Sequence, residues 1–127
     1  MNSPAFIAYG RHVFVDIWGV APEILNNVVR LEESLITATV AEGVTVLGTM
    51  RKVFEPTGVT ILLLLAESHV SLHTYPDQGK AFFDAFTCGT NYNPENIFYS
   101  FASDSMPGHY KIKHIERGVE GSNNEYY

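Results

Sequence analysis

Cysteine is nearly absent from this chain. Cys88 is the only one in 127 residues, so no intramolecular disulfide can form and a secreted, disulfide-stapled scaffold is excluded. Long apolar runs are missing too. The most apolar stretch, Val59 to Ala66, is far shorter than the ~20 residues of a membrane-spanning helix. Charge is sparse, at 17% of residues, and acids outnumber bases 14 to 8. The net charge of −6 argues against nucleic acid or an anionic membrane as partner and mildly favours a cationic small molecule. The start, MNSPAFIAYGRH, has neither a basic leader nor a long apolar stretch, so no signal peptide is expected and the plain expectation is a cytoplasmic, soluble protein. There is no internal repeat or low-complexity tract. The apolar content of 46% suits a single domain over residues 1–127 with one core.

Periodicity places the elements. Val13, Val15 and Ile17 alternate with Phe14, Asp16 and Trp18, as in a strand that Gly19 ends. Pro22 suits a first helical turn. Ile24, Leu25, Val28, Leu31, Leu35 and Ala38 then recur at helical spacing up to Gly43, a C-terminal stop, which predicts one amphipathic helix. Val44 to Glu55 reads as a strand, Pro56-Thr57-Gly58 as a turn, and Val59 to Ala66 as a central strand buried on both faces. Val70 to Tyr75 is a short strand entering a turn at Pro76-Asp77-Gln78-Gly79. Lys80 to Cys88 reads as a further strand, although its apolar residues would also tolerate a helix. Asn93-Pro94 opens a helix to about Ser103, and Tyr110, Ile112 and His114 mark a last strand. The tail from Gly118 to Tyr127 is polar and expected to be loose. The order β-α-β-β-β-β-α-β with short turns predicts an α+β fold, an antiparallel sheet with two helices covering one face. The other face carries aromatics and also needs burying, which a second copy of the chain would do.

The residues richest in chemistry lie in Glu67-Ser68-His69-Val70-Ser71-Leu72-His73-Thr74-Tyr75-Pro76 and in Phe86-Thr87-Cys88-Gly89. An acid precedes a serine, a histidine follows five positions on, and the sole cysteine comes fifteen beyond that. Around them stand Gly10-Arg11-His12, Pro56-Thr57-Gly58-Val59-Thr60 and Glu116-Arg117-Gly118. In this order and at these spacings the chain resembles the prokaryotic S-adenosylmethionine decarboxylases over about residues 9–118.

That resemblance implies a proenzyme that cuts its own backbone between Glu67 and Ser68. The serine hydroxyl attacks the preceding carbonyl, the amide becomes an ester, and β-elimination leaves a dehydroalanine that hydrolyses to a pyruvoyl group. The products would be a β chain of residues 1–67 and an α chain of residues 68–127 capped by the pyruvoyl cofactor. Its ketone forms a Schiff base with a substrate amine and accepts the electron pair released with CO2, with no metal and no pyridoxal phosphate. By the same resemblance Ser68 is the pyruvoyl precursor, His73 the processing acid/base and Cys88 the proton donor to the substrate carbon. Thr60 is a processing hydroxyl where the family has serine. Phe54, Glu67, Tyr75 and Asp77 are the implied substrate-binding residues, Phe54 stacking on adenine. The implied substrate is S-adenosylmethionine, and the implied product is decarboxylated AdoMet for spermidine synthesis. A homodimer or larger assembly, packed sheet on sheet as an α/β/β/α sandwich, completes the expectation.

Some positions depart from the family pattern. Tyr75 stands for tryptophan, Asp77 for glutamate and Ile61 for glycine, and Lys52-Val53 occupy a place where histidine is common. These changes concern the substrate more than the cofactor. They keep open a pyruvoyl-dependent ornithine or arginine decarboxylase, and an unprocessed, non-catalytic homologue is the other alternative. Outside the family context Ser68 is a turn serine, Cys88 a buried filler and His73 a strand histidine. His69 stands between a structural role and one beside the catalytic serine. His12, His109 and His114 are most simply surface or structural residues, and no C-x-x-C or H-E-x-x-H spacing marks a metal site. Phe82, Phe83 and Phe86 fit a core or a dimer interface. Asp16 fits a solvated strand position or the family's acidic one.

Overall fold

The structure, a computed structural model, describes residues 8–120. Its strands are β1 (Gly10–Trp18), β2 (Val46–Val53), β3 (Val59–Leu65), β4 (Ser68–Tyr75), β5 (Lys80–Cys88) and β6 (His109–Arg117). They form one antiparallel sheet in the order β2-β3-β4-β5-β1-β6. Helices α1 (Pro22–Leu25), α2 (Val28–Ala41) and α3 (Pro94–Ser105) complete the α+β fold. The expected loose tail falls partly on residues 121–127, outside the described residues. Among the described residues no helix is long and apolar enough to cross a membrane.

Side-chain alternation decides which face is core. Val13, Val15 and Ile17 of β1, Ile61, Leu63 and Leu65 of β3, Val70 and Leu72 of β4, and Phe83 and Ala85 of β5 are all buried. Leu31 and Leu35 of α2 and Ile97, Phe98 and Phe101 of α3 meet them. The Phe83 ring lies 5.1 Å from that of Phe98 and 5.9 Å from that of Phe101. The opposite face is open: Leu62 and Leu64 on β3 are 43% and 61% exposed. The expectation that Val59 to Ala66 is buried on both faces is therefore corrected. Strand β3 buries only alternate residues, because the helices lie on one side of the sheet.

A second correction concerns the first helix, which is two helices with a break at Asn26-Asn27. Asn27 Oδ1 accepts from the Arg30 N–H at 3.2 Å and so caps α2. Asn26 Oδ1 accepts from Thr57 Oγ1 at 2.7 Å and from the Gly58 N–H at 3.0 Å, tying the break to the β2–β3 turn. Two adjacent asparagines thus compete for the backbone just where a continuous helix would need them neutral. The α3 start is as expected: Pro94 is at the first turn and Asn93 Oδ1 accepts from the Glu95 N–H at 3.0 Å. The ambiguity over Lys80–Cys88 resolves to a strand, because β4 and β1 pair with it on both sides.

Phe98 is fully buried between α3, β5 and Tyr110. Replacing it with alanine is expected to cost about 3–5 kcal/mol of stability. Urea unfolding measures this, in a Ser68→Ala background so that the cleavage implied by the resemblance does not intervene, and a loss below about 1 kcal/mol would contradict the packing described.

Candidate active site

Strands β3 and β4 are joined by the two-residue turn Ala66-Glu67, closed by Leu65 opposite Ser68. Glu67 has a φ of +55° and is the one non-glycine residue at positive φ among the described residues. A residue with a Cβ is disfavoured there by roughly 1–2 kcal/mol. Strain therefore sits at the residue whose carbonyl precedes Ser68. Ser68 is buried, and its Oγ accepts from the Cys88 N–H at 2.9 Å. Cys88 Sγ lies 3.7 Å from Glu67 Oε1. Partial burial, reinforced by the Glu67 carboxylate, pushes the Cys88 thiol above its ordinary value, so it keeps its proton at neutral pH.

Glu67 and Cys88 border an open cleft of about 420 Å³, lined also by Tyr9, Phe86 and Arg117. Two glycines from the flanking motifs build its wall. A Cβ on Gly10 would stand 2.7 Å from the Thr87 carbonyl oxygen, and one on Gly118, whose φ is +86°, would stand 2.1 Å from the Ala8 carbonyl oxygen.

The other motif residues lie elsewhere. Thr60 Oγ1 and His73 Nδ1 are hydrogen-bonded at 2.9 Å across β3 and β4. The exposed Tyr75 ring packs against Phe82 at 5.2 Å on the same open face. Phe54 is exposed just past β2, and Asp77 is exposed in the 3₁₀ turn Pro76–Gln78. Ser68 faces the helices from the start of β4, whereas His73 faces outward near its end. Five residues separate them, roughly 16 Å at the rise of a β-strand. The chain thus brings Glu67, Ser68 and Cys88 together, and brings Thr60 and His73 together, but keeps the two groups apart.

Between them the open face holds a polar cluster that local spacing does not announce, because its members come from four strands. Ring nitrogens of His12 and His69 and a carboxylate oxygen of Asp84 lie within 4.8 Å of one another. His12 Nε2 is 2.6 Å and His69 Nε2 2.8 Å from Asp84 Oδ2, and the Ser71 hydroxyl donates to Oδ1. Arg117 Nη1 donates to His12 Nδ1 at 3.3 Å, so the His12 proton sits on Nε2 and is given to Asp84. A nitrogen engaged in that way offers no lone pair to a cation, and the guanidinium adds fixed positive charge. The donor set therefore suits a carboxylate–imidazole network better than a metal centre. Of the histidines read as surface or structural, His12 is the buried one, at 7% exposure.

Burial alone would raise the Asp84 pKa, but hydrogen bonds from His12, His69 and Ser71 outweigh it and hold the carboxyl well below the usual range. The bond to Asp84 in turn pushes His69 above its ordinary value, against partial burial and the Arg117 charge. A depressed carboxylate stabilises the fold above its unfolded pKa and loses that contribution as pH falls. A raised imidazole stabilises below its unfolded pKa and loses that contribution as pH rises through the folded value. The stability gap between Ser68→Ala and Ser68→Ala/Asp84→Asn is therefore expected to be widest between about pH 4 and 6.5 and to narrow on both sides. Thermal unfolding across pH measures it, and a gap that does not change with pH would contradict the charge network.

The sequence profile described as S-adenosylmethionine decarboxylase matches residues 11–118. An S-adenosylmethionine decarboxylase proenzyme 2 from Bacillus cereus is 40% identical over 114 residues, covering 90% of this chain and 93% of that protein. An S-adenosylmethionine decarboxylase proenzyme from Methanococcus vannielii is 34% identical over 110 residues, covering 87% of this chain and 90% of that protein. The crystal structure of the adenosylmethionine decarboxylase from Aquifex aeolicus superposes with a TM-score of 0.80 at 29% identity, covering 93% of this chain and 98% of that one. The profile, the relatives and the shared fold all span the strained turn, the buried serine and the cysteine, and the chain belongs to the S-adenosylmethionine decarboxylase family.

Proposed function

We propose that this chain is the proenzyme of a pyruvoyl-dependent S-adenosylmethionine decarboxylase that cuts itself between Glu67 and Ser68 and works in the cytoplasm. The observation that carries the reading is the junction itself: a left-handed glutamate followed by a buried serine whose Oγ is held by the Cys88 N–H. These residues fit a pyruvoyl group made in place from Ser68. In processing, Ser68 Oγ bonds to the Glu67 carbonyl carbon as the C–N bond breaks, and the freed amine takes the hydroxyl proton. Loss of the Ser68 Cα proton then expels the Glu67 carboxylate from Cβ. The remaining enamine takes up one water and releases ammonia, leaving the ketone. In this scheme His73 removes the Cα proton, and Thr60, bonded to its ring, sets that ring's orientation.

A pyruvoyl carbonyl supplies an electrophile for the substrate amine and a sink for the electron pair left when CO2 departs. Cys88, protonated at neutral pH beside Glu67, delivers a proton to the substrate carbon. The names of the relatives support S-adenosylmethionine as substrate over ornithine or arginine. The proposed product is decarboxylated AdoMet, for spermidine synthesis. Glu67, Phe54, Tyr75 and Asp77 are the side chains assigned to hold it.

Thr60 and His73 cannot reach Ser68 of their own chain, so we assign them to the site of a second copy. A two-fold dimer that stacks the open faces, with its axis across the strands, sets one end of each sheet over the other end of its partner. Because such an interface is self-complementary, one contact completes both sites. It also covers Phe14, Trp18, Met50, Leu62, Leu64 and Phe82, all large apolar side chains left exposed on this face. The assembly is then an α/β/β/α sandwich.

Intact mass spectrometry under denaturing conditions tests the cleavage. Two fragments are expected, residues 1–67 and residues 68–127, the second lighter by one ammonia than its sequence. Ser68→Ala is expected to stay whole and to release no CO2 from S-adenosylmethionine. A purified wild-type chain that remains at the full 14.1 kDa would overturn the reading and favour a non-catalytic homologue.

A further inference from the structure

Thr87 precedes Cys88 on β5 and is completely buried, and its Oγ1 is the buried side-chain polar atom without a hydrogen-bond partner among the described residues. A hydroxyl in that state destabilises the fold it sits in, and such groups call for a reason. Its place suggests one. The β4–β5 register pairs His69 with Phe86, and one step further sets Thr87 opposite Ser68. Both side chains are on the helix-facing side of the sheet, as their burial shows. The next residue along, Cys88, gives its N–H to Ser68 Oγ at 2.9 Å, which clamps this end of β5 against the serine.

We propose that the Thr87 hydroxyl takes part in self-cleavage, donating a hydrogen bond to the Glu67 carbonyl oxygen when that oxygen becomes negative. This inference rests on the cleavage reading above. When Ser68 Oγ bonds to the Glu67 carbon, the carbonyl electron pair moves onto oxygen. It returns as the C–N bond breaks, and the hydroxyl proton goes to the amine. Thr87 transfers no proton. A donor that lacks a partner in the precursor and gains one only as charge develops stabilises the transition state more than the ground state, which is what accelerates a reaction. Threonine suits the task, because its branched Cβ leaves few rotamers and its complete burial excludes water as a competing partner.

Thr87→Val removes the hydroxyl and keeps the shape. Freshly refolded precursor, followed by intact mass over time, is expected to cleave about tenfold or more slowly than wild type. Thr87→Ser, which keeps the hydroxyl, is expected to stay within a few-fold of wild type by the same reasoning. In the Ser68→Ala background, where nothing cleaves, Thr87→Val is expected to leave the unfolding midpoint unchanged or raise it. Thr87→Val cleaving at the wild-type rate would overturn the proposal. So would a lowered unfolding midpoint, which would mean that the hydroxyl is already bonded in the precursor. A wild-type chain that never cleaves would instead defeat the self-cleavage reading itself, so the two failures are distinguishable.

Discussion

A β-strand sends successive side chains to opposite faces and carries the chain steadily in one direction. That constraint governs where chemistry can occur in this protein. Ser68 and His73 are an odd number of residues apart on β4, so one faces the helices and the other the open side, at opposite ends of the strand. Hydrogen bonding to β3 and β5 along this length prevents β4 from folding back to bring them together. The two motif-bearing ends of the sheet are therefore separate, and in the proposed dimer each supplies half of a site. One holds the strained Glu67, the buried Ser68 and Cys88; the other holds the Thr60–His73 pair with its exposed aromatics.

The open face also explains the character of the polar cluster between those ends. Charged groups stripped of water are costly unless their hydrogen bonds are met. Asp84 has its acceptors filled by His12, His69 and Ser71, and His12 is backed by Arg117, whose guanidinium also lies 5.8 Å from the Phe86 ring. Such a network is satisfied within one chain and can be covered by a second sheet at lower cost than unpaired charges. It spans β1, β4, β5 and β6, so it also fixes the strands that carry Ser68 and Cys88 relative to one another.

Much of this was legible in the sequence where local rules dominate. Pro94 behind Asn93 marked the α3 start, the alternation in β1 marked a strand, and the Glu67-Ser68 and Phe86-Thr87-Cys88-Gly89 motifs marked residues that the fold brings together. What was not legible depends on distant partners. Asn26 breaks a helix because Thr57 and Gly58, 31 and 32 residues on, recruit its side chain. Leu62 and Leu64 look like core in a run of apolar residues, and only the placement of both long helices on one side exposes them. His12, Asp84 and Arg117 carry no common spacing and meet only through strand order. Asp84 did leave one trace, as the lone acid at an outward position between Phe82 and Phe86. The separation of Ser68 from His73 was also present in the sequence, as an odd number of strand residues.

Complementation between two chains expected to be inactive alone tests the proposed shared site most directly. In the proposed scheme Ser68→Ala supplies His73 and Thr60 but cannot cleave, and His73→Ala supplies Ser68 but lacks the processing base. Co-refolded in equal amounts and followed by intact mass, they are expected to yield fragments from the His73→Ala chain, which alone stays whole. If the His73→Ala chain remains uncleaved in the mixture although mixed dimers form, His73 does not act across the interface, and a site built from two copies is contradicted.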